Sequence, residues 1–122
     1  MKEDVKNKWV EALRSGKYKQ GKRCLRNEND EFCCLGVLCD LYDPNLWGKD
    51  NGNEKYRYDN HPYRFSFPPT KVLQWSDMPK YTNDLNISVS LLIDMNDHQN
   101  KTFNEIADFL ENGSPNDITK ND

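Results

Sequence analysis

The run Cys33-Cys34-Leu35-Gly36-Val37-Leu38-Cys39 is the longest mostly apolar stretch in a chain of 122 residues, so any fold has to be built around burying it. At seven residues it is far short of the ~18–20 needed to span a bilayer. Other core material is scarce. Leu, Ile, Val and Phe together number 25, close to the ~20% below which highly charged chains stay unfolded. The net charge of −3 leaves little of the self-repulsion that accompanies disorder. The expectation is one folded domain over residues 1–113 with a small core, followed by a polar, flexible tail over residues 114–122.

Periodicity fills in the elements. Val5, Trp9, Ala12 and Leu13 recur at helical spacing over residues 3–14, with Gly16 just beyond. Trp9 is the expected anchor of this thin stripe. Residues 34–42 read as a buried helix closed by Asp43-Pro44, and Gly36 inside it points to close approach of another backbone. Residues 23–26 and 31–33 read as strands joined by the turn Asn27-Glu28-Asn29-Asp30. Tyr56, Tyr58, Tyr63, Phe65 and Phe67 alternate around Asp59-Asn60-His61-Pro62, which predicts a second hairpin. Pro68-Pro69-Thr70 can start a short helix with Val72, Leu73 and Trp75 inward.

Residues 88–97 carry Val89, Leu92, Ile93 and Met95 at helical spacing, although Ile87, Val89 and Leu91 also alternate as in a strand. Thr102-Phe103-Asn104-Glu105 has capping-box spacing before the apolar face of Phe103, Ile106, Ala107, Phe109 and Leu110, with Gly113 as the stop. The fold class expected is α+β: about five short helices packed around one or two small antiparallel β-hairpins.

Charge is unevenly spread. Residues 1–26 sum to +6 and the remainder to −9. The basic end is where an anion would go. Its densest part places Arg14, Lys17, Lys19, Lys22, Arg23 and Arg26 within thirteen residues, together with Tyr18, Gln20, Gly16 and Gly21. Glycine lets backbone amides approach a ligand, Lys supplies point charge, and Arg can grip two phosphate oxygens. The segment is expected to fold into a concave cradle for a small phosphorylated, nucleotide-like ligand. Lys17, Lys19, Arg23 and Arg26 would neutralise phosphates, Tyr18 would stack on a base and Gln20 would read a polar edge, with Arg57 and Asn96 as further contacts. The bland alternative is a solvated basic loop balancing the acidic remainder. An extended nucleic acid fits less well, because the seventeen acids beyond residue 26 would repel its flanks.

Other chemistry finds less support. Cys24, Cys33, Cys34 and Cys39 lack the paired Cys-x2–4-Cys spacing of zinc knuckles. Residues 1–5 are charged with no apolar segment behind them, which predicts an intracellular chain whose cysteines are small buried thiols. His61 and His98 sit in polar surroundings without a nucleophile motif. Asp94, Asp97, Asp108 and Glu111 read as carboxylates of solvated helix faces. No metal or cofactor is called for, and the chain reads as a binding protein rather than an enzyme. A homo-oligomer is one way to bury surplus aromatic surface.

Three stretches are similar to a known group: Gly16-Lys17-Tyr18-Lys19-Gln20-Gly21, residues 32–42, and Asn96-Asp97 with residues 103–111. Over about residues 9–112 the chain resembles a family of small proteins encoded by bacteriophages and prophages. No catalytic assignment transfers with this resemblance. It implies action inside an infected bacterium, in the host cytoplasm, where compact accessory proteins counter host defences. One such mode is a sponge that sequesters a nucleotide immune messenger, such as a cyclic dinucleotide or a cyclised ADP-ribose. A rival reading is an inhibitor of a host or defence protein, with exposed Trp47, Tyr56 and Tyr58 as anchors. A second rival is an enzyme that degrades the messenger.

Overall fold

A computed structural model describes residues 1–49, 56–58, 67–79 and 87–112. In chain order these form α1 (Glu3–Arg14), β1 (Lys19–Gln20), β2 (Glu31–Phe32), α2 (Cys34–Tyr42), a 3-10 turn at Pro44–Leu46, β3 (Trp47–Lys49), β4 (Tyr56–Tyr58), α3 (Thr70–Ser76), α4 (Val89–Asp97) and α5 (Phe103–Asn112). The class is α+β and helix-dominated. The proposed tail, together with His61, Tyr63 and Phe65, lies outside the described residues.

The apolar run becomes the centre. Every residue from Cys34 to Cys39 is buried, and α2 touches α1, α3 and α4. Full burial of Leu35, Val37 and Leu38 is worth about 1.5–3 kcal/mol each. Trp9, fully buried, anchors α1 as expected. Its indole N–H donates to the Cys34 carbonyl at 2.9 Å, so the largest ring of α1 also satisfies a backbone acceptor of α2. At the far end of α1, the Arg14 guanidinium donates to Asp108 at 2.8 Å and also bonds Glu111, which ties α1 to α5.

The capping box forms as its spacing demands. The Glu105 N–H donates to the Thr102 hydroxyl at 3.1 Å, and the Thr102 N–H donates to the Glu105 carboxylate at 3.0 Å. The second bond holds the Glu105 carboxyl below the usual carboxylate range. Residues 88–97 resolve as helix: the Ser88 hydroxyl caps α4 by accepting from the Leu91 N–H, which an alternating strand could not use. Trp75, Ile93 and Phe109 are half-buried at the edge of the core.

The strands depart from expectation. β1 and β2 pair in parallel, Lys19 opposite Glu31 and Gln20 opposite Phe32. The antiparallel hairpin expected over residues 23–26 and 31–33 shrinks to one bridge, Arg26 opposite Phe32. Arg23 turns left-handed (φ +71°), which breaks a strand at its start. The chain then dives inward at Cys24 and Leu25, so the outer edge of β2 is left for β1. β3 and β4 do pair antiparallel, Trp47 opposite Tyr58. Tyr56 and Tyr58 thus pair with residues 47–49, while the expected partner strand lies outside the described residues up to Phe67.

Gly36 is required by sterics. A Cβ there would lie 1.8 Å from the Leu25 carbonyl oxygen and 2.7 Å from its carbon, and backbone cannot step aside. Gly48 faces open space. Gly36→Ala is therefore expected to cost roughly 3 kcal/mol, at the upper end for overpacking, while Gly48→Ala stays within about 0.5 kcal/mol. Urea denaturation of the two variants side by side checks this.

Candidate functional site

The basic segment runs over the surface between α1, α2 and the α4–α5 corner, and it is pinned there by polar contacts as well as by the burial of Cys24 and Leu25. Gln20 holds the middle. Its amide N–H groups donate to the Asn96 carbonyl oxygen at 2.9 Å and the Lys101 carbonyl at 2.8 Å, and its Oε1 accepts from the Phe103 N–H at 3.1 Å. Asn96, only 1% exposed, donates to the Gly21 carbonyl and to Asp97, each at 2.9 Å. Its oxygen also accepts from the Cys34 N–H, the first amide of α2, at 3.3 Å. Lys22 bonds Asn100, and the Arg23 N–H donates to Asp97 at 3.0 Å. All four amide hydrogens of Gln20 and Asn96 are thus committed. Both residues anchor the segment, and neither holds a spare donor with which to read a ligand.

Tyr18 is fixed differently. Its hydroxyl donates to Asp40 Oδ2 at 2.6 Å, and its ring stands edge-on to Phe32 at 5.1 Å. The Trp47 indole N–H donates to the other oxygen of Asp40 at 2.9 Å. Partial burial, and then the bond to Asp40, raise the Tyr18 phenol above its ordinary range, so it stays a neutral donor at physiological pH.

The remaining predicted contacts separate. Lys19 is largely exposed, with its ammonium 3.4 Å from Glu31. Arg26 donates to Asp30 at 2.6 Å through Nη2 and lies over the rings of Phe32 and Trp47, at 5.1 and 5.4 Å. Arg57 sits on β4 opposite Gly48. Arg23 is exposed beside Asp97. Among the described residues the segment lines two shallow hollows that share Tyr18, and neither gathers Lys19, Arg23 or Arg26. One, about 290 Å³, lies against α1 and is lined by Lys8, Glu11, Ala12, Lys17, Tyr18 and Leu41. The other, about 280 Å³, lies between α1 and α5 and includes Arg14, Gln20, Thr102 and Asn104.

Lys8 was not among the expected contacts. The signal that could have found it is helical spacing: Lys8, Glu11, Ala12 and Ser15 fall at i, i+3, i+4 and i+7 on one face of α1. Among the described residues, neither Lys8 nor Lys17 has a carboxylate within ion-pair distance. Tyr58, by contrast, is 2% exposed and donates its hydroxyl to the Cys39 and Asp43 carbonyls. It serves the core rather than a partner surface.

All four cysteines are free thiols and buried. Burial pushes the Cys33 thiol up to about 12, and Cys34 and Cys39 well above the ordinary value. Among the described residues no three His, Cys, Asp or Glu side chains gather as metal ligands would.

Two outcomes follow from these bonds. In a Gln20→Ala, Asn96→Ala double-mutant cycle, each single change is expected to cost about 1–3 kcal/mol. The pair should couple by about 1 kcal/mol or more in urea denaturation, since both belong to one network. For Cys33, Cys34 and Cys39, the unfolded thiols ionise near ~8.5 while the folded ones keep their protons. The native state then binds more protons, so unfolding free energy falls as pH rises above ~8.5. A pH series of denaturation curves should show that decline, shallower in Cys39→Ala.

No curated protein and no solved structure matches the chain. A family profile does, over residues 1–114, and the chain belongs to that family, described as a domain of unknown function (DUF8296).

Proposed function

We propose that this protein is a non-enzymatic binding protein that captures a compact, phosphorylated, nucleotide-derived ligand in the hollow between α1 and residues 17–18. The observation that carries this reading is the lysine pair. Lys8 and Lys17 rim a hollow of about 290 Å³ walled by Tyr18, Ala12 and Leu41, with Glu11 as its one acid. Lys6, Arg14, Lys19 and Arg26 of the basic end are held by Glu3, Asp108, Glu111, Glu31 and Asp30. Two ammonium groups without such partners, beside a ring held rigid by Asp40 and Phe32, offer phosphate charge and base stacking together. The net charge of −3 favours a compact anion over a polyanion that must also pass the acidic surface. The resemblance to phage-encoded proteins supplies the setting: the host bacterial cytoplasm, where holding an immune messenger intact blocks its signal.

The test is native mass spectrometry of protein purified from defence-activated bacterial lysate. A bound small molecule is expected, released unchanged on heating. Lys8→Ala/Lys17→Ala should keep the wild-type melting temperature, because both side chains are exposed. It should weaken ligand binding by about tenfold or more per lysine, as hydrogen bonds to charged groups are worth about 1.5–3 kcal/mol. Equal ligand occupancy in the double variant, or turnover of a substoichiometric dose, would overturn the proposal.

A further inference from the structure

We infer that the ligand straddles Tyr18, with its phosphate in the Lys8–Lys17 hollow and an uncharged, hydrogen-bonding lobe in the hollow between α1 and α5. The inference rests on reading the first hollow as the anion site. Three observations lead to it.

Size comes first. Each hollow, about 290 and 280 Å³, sits at the bottom of the ~300–1,000 Å³ typical of small-molecule sites. Neither alone reaches the middle of that range, and Tyr18 lines both.

The two sides also differ in charge. On the first, two lysines face one glutamate. On the second, the charged lining residue is Arg14, already bound by Asp108 and Glu111, so no cationic surplus is left for a phosphate. The anion therefore belongs on the α1 side.

The third observation is the polar lining. Among the described residues the exposed Asn104 carboxamide, on the second hollow, has no hydrogen-bond partner. A carboxamide both donates and accepts, which matches the edge of a nucleobase or a sugar hydroxyl. Leu13 and Phe103 line the same hollow with apolar surface.

The test uses three probes on the full chain: inorganic pyrophosphate, the four ribonucleosides and their 5′-diphosphates. Calorimetric titration should show at least one nucleoside diphosphate binding about 100-fold tighter than pyrophosphate, the gain expected when two weak sites are joined by one ligand. Asn104→Trp fills the second hollow from an exposed position. It should lower nucleoside diphosphate affinity about tenfold or more and leave pyrophosphate binding unchanged, whereas Lys17→Ala should weaken both. Asn104→Ala empties the position without crowding it, and a smaller loss confined to the nucleoside diphosphate is expected if Asn104→Trp folds poorly. Nucleoside diphosphate binding that neither Asn104 variant alters would overturn the straddling inference while leaving the anion site standing. Failure of the wild-type protein to bind pyrophosphate or any nucleotide would overturn the anion site and the inference with it.

Discussion

The carboxamide of Asn96 is the joint on which the molecule depends. Its two hydrogens and its oxygen reach the Gly21 carbonyl, Asp97, Gln20 and the first amide of α2. Two distant parts of the chain, residues 20–21 and the start of α2, are thereby fixed to one buried group on α4. Such a network is costly when half made, because each stranded polar atom loses its water without a replacement. Complete, it defines one position for the polar face of a basic segment whose buried apolar side chains are Cys24 and Leu25. Lys17, at the rim of the first hollow, lies three residues before Gln20 on the segment that this amide holds.

A second fixed point serves the ring between the hollows. Asp40 accepts from Tyr18 on one oxygen and from Trp47 on the other, and Phe32 stands edge-on to both rings. Aromatic side chains supply contact area at low entropic cost when few torsions remain to be frozen. Here the protein itself freezes them before any ligand arrives.

Much of the helical skeleton was legible in the sequence, because helices announce themselves locally. The stripe of Val5, Trp9 and Leu13, the Thr102/Glu105 capping box and the Asp43-Pro44 stop each act within a few residues. The close approach at Gly36 was readable too, although not its partner, Leu25. The strands were less so. Two-residue strands have no periodicity to read, and the parallel pairing of β1 with β2 depends on Arg23 adopting a left-handed turn that no local pattern requires. The site was half legible. Charge density pointed to residues 17–26, but Gln20 and Asn96 looked like free polar side chains because their partners lie more than 70 positions away. Lys8 belongs to the hollow only once α1 is laid beside Tyr18.

The long reach of these contacts has a consequence during biosynthesis. Arg14 closes on Asp108 and Glu111, and Gln20 closes on Asn96, Lys101 and Phe103. A growing polypeptide that has emerged only as far as α3 holds none of those partners. Its cationic end must wait, solvated and unfastened, for α4 and α5 to leave the ribosome, and contacts this distant close late. The finished molecule locks α1 and the basic segment to α4 and α5 in one of the last steps of assembly, so a prematurely terminated product lacking both helices would carry every lysine of the hollow without the Asn96 network that holds the segment.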